Sequence, residues 1–167
     1  TEIDERIAAG WRAFYSNKKF LCGSLPMYHK KEIFEKNVLS VLTFGCQDWA
    51  LTDQQKMKLA TVQHDMERKV LHIRKIDKVK LVKIRKLTKW RDVNDFANQL
   101  KFNWAGHVAR MDGERWPVRL LNWTPRNPRC RGRPKSRWED EIKIRARIFW
   151  KRKALSRSKW AQLAKLN

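Results

Sequence analysis

Three cysteines and four histidines are the residues of this 167-residue chain that could hold a metal. Structural zinc sites arrive as C-x2–4-C and H-x3–5-H pairs, because ligands close in sequence enclose the ion at little entropic cost. Cys22, Cys46 and Cys130 form no such pair, and among His29, His64, His72 and His107 the nearest two, His64 and His72, are eight apart. The spacing therefore predicts no metal and no cofactor. A catalytic centre is equally hard to find: there is no Gly-rich phosphate loop, no HExxH and no G-x-S-x-G. The acidic run Glu139-Asp140-Glu141 falls in the first turn of an expected helix, where the macrodipole accounts for it. His107, in WAGHVARM, has no identifiable partner and reads as a packed or capping residue.

Charge is the stronger signal. Lys and Arg number 39 against 17 Asp and Glu, a formal +22. Residues 1–50 hold seven basic and six acidic side chains and residues 51–167 hold 32 and 11, so 21 of the 22 excess charges lie in the second stretch. A bias confined to one region implies a polyanionic surface, nucleic acid before acidic membrane. Its densest part is 68–91, where Arg68, Lys69, Arg74, Lys75, Lys78, Lys80, Lys83, Arg85, Lys86, Lys89 and Arg91 face the single acid Asp77. Like charges three or four apart destabilise a helix by a few tenths of a kcal/mol each, so this segment is expected to meet an anionic partner, the phosphates of a nucleic acid. A second cluster comprises Arg126, Arg129, Arg131, Arg133, Lys135 and Arg137. Arg131-Gly132-Arg133-Pro134 resembles the core of an AT-hook that enters a narrow minor groove, and reads equally as a turn that positions Trp138. Trp116, Trp123 and Trp138 in this basic region could stack on bases, whereas Trp11 and Trp104 sit on apolar helix faces and are expected in the core.

Helices must carry these groups. Ile3, Ile7, Trp11 and Phe14 mark a helix over about 2–20; a break at Cys22–Pro26 precedes an apolar stripe to about residue 45. Thr52 with Gln55 forms a capping box opening a helix over about 53–72. Val79, Val82 and Leu87 predict a shorter helix, and Val93, Phe96, Leu100, Trp104, Val108 and Met111 a helix over 92–112 with Asp92 as N-cap. Residues 113–135 read as an ordered, extended arm. Ser136 with Glu139 is expected to cap a helix running through Ile142, Ile144 and Ile148 towards Trp150, followed by a short helix at 157–165. The expected class is all-α: a bundle-like helical region at 1–90, then a basic Trp-rich region at 91–167 comprising helix 92–112, arm 113–135 and helices within 136–165.

No apolar run approaches the roughly 20 residues of a spanning helix, so no membrane partner is expected. The N-terminus has no secretory pattern and no initiator Met, which suggests a fragment, and the odd, unpaired cysteines fit a reducing, intracellular setting.

The order of short motifs carries a resemblance: GW-x-AF (10–14), VLSVLTFG-x-x-x-W (38–49), Q-x-x-MER (63–68), LKFNWAGHVARM (100–111), RW (115–116), W-x-P (123–125), GRP-x-x-RW-x-D (132–140) and W-x-x-x-A-x-x-R-x-x-W (150–160). Together they resemble the C-terminal, thumb and post-thumb region of an RTE-type non-LTR retrotransposon endonuclease/reverse transcriptase polyprotein. The resemblance implies a thumb-like region up to about residue 90 that grips template RNA and primed target DNA, an RNA–DNA hybrid included, in the nucleus and beside a palm and endonuclease portion of the same polyprotein. Neither a Tyr-x-Asp-Asp nor an upstream catalytic Asp is present, so this chain alone is expected not to be an enzyme. Ser40, Gln47-Asp48 and Ser156 depart from the family pattern. The alternative expectation is a domesticated chromatin or ribonucleoprotein component that uses the same basic surface structurally; a basic helix on anionic lipid is a third, disfavoured because 68–91 lacks a broad aromatic or Leu face.

Overall fold

The structure, a computed structural model, describes residues 1–123 and 137–165. Every regular element among the described residues is helical, which makes the fold all-α as expected. Two compact units divide the chain, Thr1–Gly45 with Thr52–Ala97, and Cys46–Leu51 with Asn98–Asn167.

In the first unit α1 (Glu2–Ser16) opens with Glu2, Asp4 and Glu5 against the positive end of its dipole, and buries Ile3, Gly10 and Phe14. A short α2 (Lys18–Leu21) follows, and Pro26 then starts α3 (Met27–Ile33), its fixed φ and missing N–H suiting the position before a first turn. The stripe to residue 45 continues as a π-helical segment, Phe34–Leu39, and α4 (Ser40–Leu42). The wider turn keeps Phe34, Val38 and Leu39 all fully buried. Phe34 stacks on Trp90 with centroids 3.8 Å apart and planes 11° apart.

Helix α5 (Asp53–Val70) has the expected capping box: the Thr52 N–H donates to Gln55 Oε1 at 2.9 Å, and the Gln55 N–H donates to Thr52 Oγ1 at 3.3 Å. Its buried face carries Leu59, Met66 and Val70 together with two polar residues, Gln63 and Glu67, both fully enclosed. Gln63 explains its own burial. Its amide N–H2 donates to the Arg91 carbonyl (2.7 Å) and to Glu67 Oε1 (3.1 Å), and its Oε1 accepts the Val93 N–H at 2.7 Å. Two of these hydrogen bonds, those to Arg91 and Val93, each worth about 1 kcal/mol net, pin the turn between α6 (Leu81–Thr88) and α7 (Val93–Ala109) onto α5, and the third, to Glu67, stays within α5. Asp92 caps α7 as expected, its Oδ1 accepting the N–H of Asn94 (2.8 Å) and of Asp95 (3.2 Å).

The second unit has a core of Phe102, Ala105, Ile142, Ala146, Trp150, Ala154 and Trp160. The Trp160 indole lies parallel to the Phe102 ring, centroids 4.0 Å and planes 4° apart, and its Nε1–H donates to the Phe102 carbonyl at 3.0 Å. A Cβ built on Gly106 would stand 2.2 Å from that Nε1, so only glycine admits the ring here. Lys101 is buried and paired with Glu141 at 2.5 Å, and Arg110 Nη1–H donates to the Ala154 carbonyl at 2.7 Å. WAGHVAR and W-x-x-x-A-x-x-R-x-x-W are therefore the two halves of one packed cluster.

Three sequence expectations need correction. Residues 113–135 are not wholly an extended arm, because α8 (Trp116–Asn122) occupies part of them, with Pro117 in its first turn where a missing N–H costs nothing. Helix α9 (Trp138–Ala146) starts one residue later than the Ser136–Glu139 frame, with Arg137 at the N-cap donating its backbone N–H to Asp140 Oδ2 at 2.7 Å; Ser136 itself lies outside the described residues. The same helix stops at Ala146, where Arg147 adopts φ +69°, rather than running on towards Trp150. Ile144 and Ile148 are 80% and 77% exposed, and Trp150 opens the separate α10 (Trp150–Ala154) before α11 (Arg157–Lys165).

Candidate nucleic-acid interface

Helix α6 and its flanks sort the basic segment of the first unit into two kinds of cation. Ile84 and Thr88, four apart, are the buried positions of α6, so Arg85, next to Ile84, is drawn partly inward while Lys83 and Lys86 point out. Arg85 Nη1 binds Asp92 Oδ2 at 2.6 Å, and its Nε lies 3.9 Å from Glu67 Oε1. Burial pushes the Glu67 carboxyl up, and the Arg85 charge only partly offsets it. Burial also works against a charge on Asp92, yet the Arg85 bond and the two backbone N–H bonds outweigh it and hold that carboxyl below the usual carboxylate range. His64 beside them is pushed down, first by burial and then by Arg85. Arg85, expected among the phosphate contacts, thus also ties α6 to Glu67 of α5 and to Asp92, the cap of α7.

Other expected contacts are partly neutralised. Arg68 and Lys75 both pair with Asp65 (3.4 and 3.2 Å), and Arg74 lies 3.6 Å from Asp77. Lys69 sits 5.8 Å from the ring centroids of both Trp11 and Tyr15, which stack on each other, so Trp11 is half-buried on the surface of α1 rather than in the core. The Arg91 guanidinium covers the Phe96 ring at 5.0 Å. What remains is a group of five exposed lysines, Lys78, Lys80, Lys83, Lys86 and Lys89, with no acidic partner among the described residues. Two of them, Lys78 and Lys89, hold left-handed backbone at φ +47° and +52°, ending the 3-10 turn Lys75–Asp77 and α6 respectively. The exposed Val82 and Leu87 flank Lys83 and Lys86 on the outer face of α6.

In the second unit Arg126, Arg129, Arg131, Arg133 and Lys135 lie outside the described residues, as does the Arg131–Pro134 motif. Arg137 is described and exposed. Of the three tryptophans expected to stack on bases, Trp116 is 72% exposed with the Arg119 guanidinium 5.7 Å from its ring. Trp123 and Trp138 instead line one cavity of about 860 Å³. Trp104, half-buried rather than core, forms a third wall, and Arg137, Asp48 and Lys151 complete its polar lining. Trp138 is fixed by its Nε1–H, which donates at 2.6 Å to the carbonyl of Gln47, in the 3-10 turn Cys46–Asp48. In the same turn burial pushes the Cys46 thiol up to about 11. The sequence stripe through Trp104 signalled an apolar face and nothing more; the meeting of Trp104, Asp48 and Lys151 has no local signal because 103 residues separate Asp48 from Lys151.

Among the described residues no three His, Cys, Asp or Glu side chains gather as a metal site, and no helix is long and apolar enough to cross a membrane. The molecule is thus an all-α protein whose first unit presents unpaired lysines and whose second unit holds an aromatic cavity. A transposon-derived protein of Caenorhabditis elegans, itself uncharacterized, is 30% identical to it over 148 residues, which are 85% of this chain and 53% of that protein. The chain spans about half the length of the curated relative it matches, and the likeness points to a transposon origin. No family model and no solved structure matches.

Proposed function

We propose that the chain is the nucleic-acid-binding C-terminal part of an RTE-type non-LTR retrotransposon reverse transcriptase, which grips template RNA or target DNA without a catalytic centre of its own. The observation that carries this reading is the set of unpaired lysines at 78, 80, 83, 86 and 89. Five ammonium groups on one short helix and its flanks repel one another, and phosphates relieve that repulsion while releasing counterions. Residues 1–90 serve as a thumb-like grip and residues 91–167 as a second contact, and the partner is RNA, DNA or their hybrid, in the nucleus, beside a palm supplied by the same polyprotein. The transposon-derived relative supports the origin of the sequence.

The test is a salt series of affinities for duplex DNA, an RNA hairpin and an RNA–DNA hybrid. Replacing Lys78, Lys80, Lys83 and Lys86 together by Gln is expected to weaken binding and to flatten the log–log salt slope by up to about 3.6, about 0.9 for each duplex phosphate that is no longer neutralised. Unchanged affinity and slope on all three ligands would overturn the assignment.

A further inference from the structure

The cavity of the second unit has a lining that a phosphate grip alone does not need. Its volume, about 860 Å³, lies within the range of small-ligand sites. Three indoles, Trp104, Trp123 and Trp138, line it; Trp138 also packs against Trp150 and carries the Lys101 ammonium 6.0 Å from its ring, whereas Trp123 remains 67% exposed, which leaves its ring open to stacking. The polar groups differ in what they have left to give. Glu139 is bound by Lys143 at 2.5 Å and approached by Lys151 at 3.8 Å, and Lys151 donates to Asn122 Oδ1 at 2.9 Å. Asp48 has no hydrogen-bond or ion-pair partner among the described residues. The bond from Trp138 to the Gln47 carbonyl holds the turn that carries Asp48 against one of the aromatic walls.

A carboxylate only accepts hydrogen bonds. Of the four bases, guanine is the one whose Watson–Crick edge presents two adjacent donors, N1–H and the N2 amino group, to a single carboxylate. On adenine and cytosine a ring acceptor lies beside the amino group and would face the negative oxygen. We infer that this cavity takes an unpaired guanine, stacked on the indoles with its N1–H and N2–H donated to Asp48 and its phosphate beside Arg137. An aromatic site with a carboxylate also suits a quaternary ammonium, but here Arg137 and Lys151 stand in the wall and the whole chain carries +22, which repels a basic peptide. The inference rests on the nucleic-acid reading above and adds a base preference to it.

The experiment compares the intact chain's affinity for one duplex, blunt or with a single 5′ overhanging G, A, C or U, and separately titrates GMP and AMP while following the indole N–H resonances. The overhanging G is expected to tighten binding about tenfold over A, Asp48→Asn to abolish that difference, and Trp123→Ala to lower affinity for every overhang. Because Trp123 is largely exposed, that variant is expected to fold, as its resonance pattern will show. Equal affinity for blunt and overhanging duplexes with a steep salt slope would overturn the cavity inference and leave the lysine grip standing. Absence of duplex binding with GMP still bound would overturn the grip and leave the cavity. Displacement of GMP by a trimethyllysine peptide, or binding of neither nucleotide, would overturn the guanine assignment.

Discussion

Gly106→Ala separates local preference from packing because the two predict opposite signs. In the middle of α7 an alanine gains about 1 kcal/mol of helix propensity over glycine. At this position the new Cβ would meet Trp160 at 2.2 Å (Nε1), 2.5 Å (Cδ1) and 2.8 Å (Cε2), where ordinary contact begins near 3.4 Å. The indole must retreat by about 1.2 Å, which strips the 3.0 Å bond from its N–H to the Phe102 carbonyl and spoils the 4.0 Å stack. Overpacking costs about 1–3 kcal/mol and an orphaned buried donor about 1–3 more, so the net change is a loss of about 3 kcal/mol after the propensity gain is subtracted. Urea unfolding followed by near-UV circular dichroism, which reports tryptophan packing, measures it. In a Trp160→Phe background, where the indole nitrogen is gone, the cost is expected to fall by more than about 1 kcal/mol. A Gly106→Ala variant stabilised by about 1 kcal/mol would refute the packing argument.

Other variants test the first unit. Lys89→Gly is expected to stabilise by about 1 kcal/mol, since Lys89 holds φ +52°, whereas Lys89→Ala, which keeps a Cβ, gives no such gain; equal urea midpoints for both would refute the backbone account. Glu67→Gln tests the buried carboxyl, whose Oε2 has no hydrogen-bond partner. Its folded pKa lies above the ordinary 4.5, so its contribution is fully present below about pH 4.5 and is lost as pH rises through the folded value. Wild type should therefore lose stability relative to Glu67→Gln as pH rises from about 4.5 through the folded value, and the opposite trend would mean that the Arg85 pair dominates.

Much of the architecture was legible one turn at a time. The Thr52–Gln55 box, the Asp92 cap and the break at Pro26 are satisfied by atoms within about four residues, so the local sequence is enough to place them. The charge split was legible too, because solvent exposure is the default of lysine and needs no partner. Burial was less so. The sequence placed Ile142, Ile144 and Ile148 on one helix running towards Trp150, but the helix ends before Arg147, and while Ile142 and Ala146 are buried, Ile144 and Ile148 face outward.

Tertiary structure alone decided which cations are free. Arg85 and Lys86 are adjacent and chemically alike, yet Asp92 and Glu67 claim the first while the second faces solvent. It alone also joined Trp160 to Gly106, 54 residues away, and Trp138 to Gln47, 91 residues away. The sequence by itself determined the helical class, the Thr52 and Asp92 caps and the region that carries the excess charge, all of which arise from neighbours in the chain. Which side of each helix is covered, and hence which lysines and indoles are left to meet a ligand, depends on surfaces brought together from distant segments, and no local pattern encodes that.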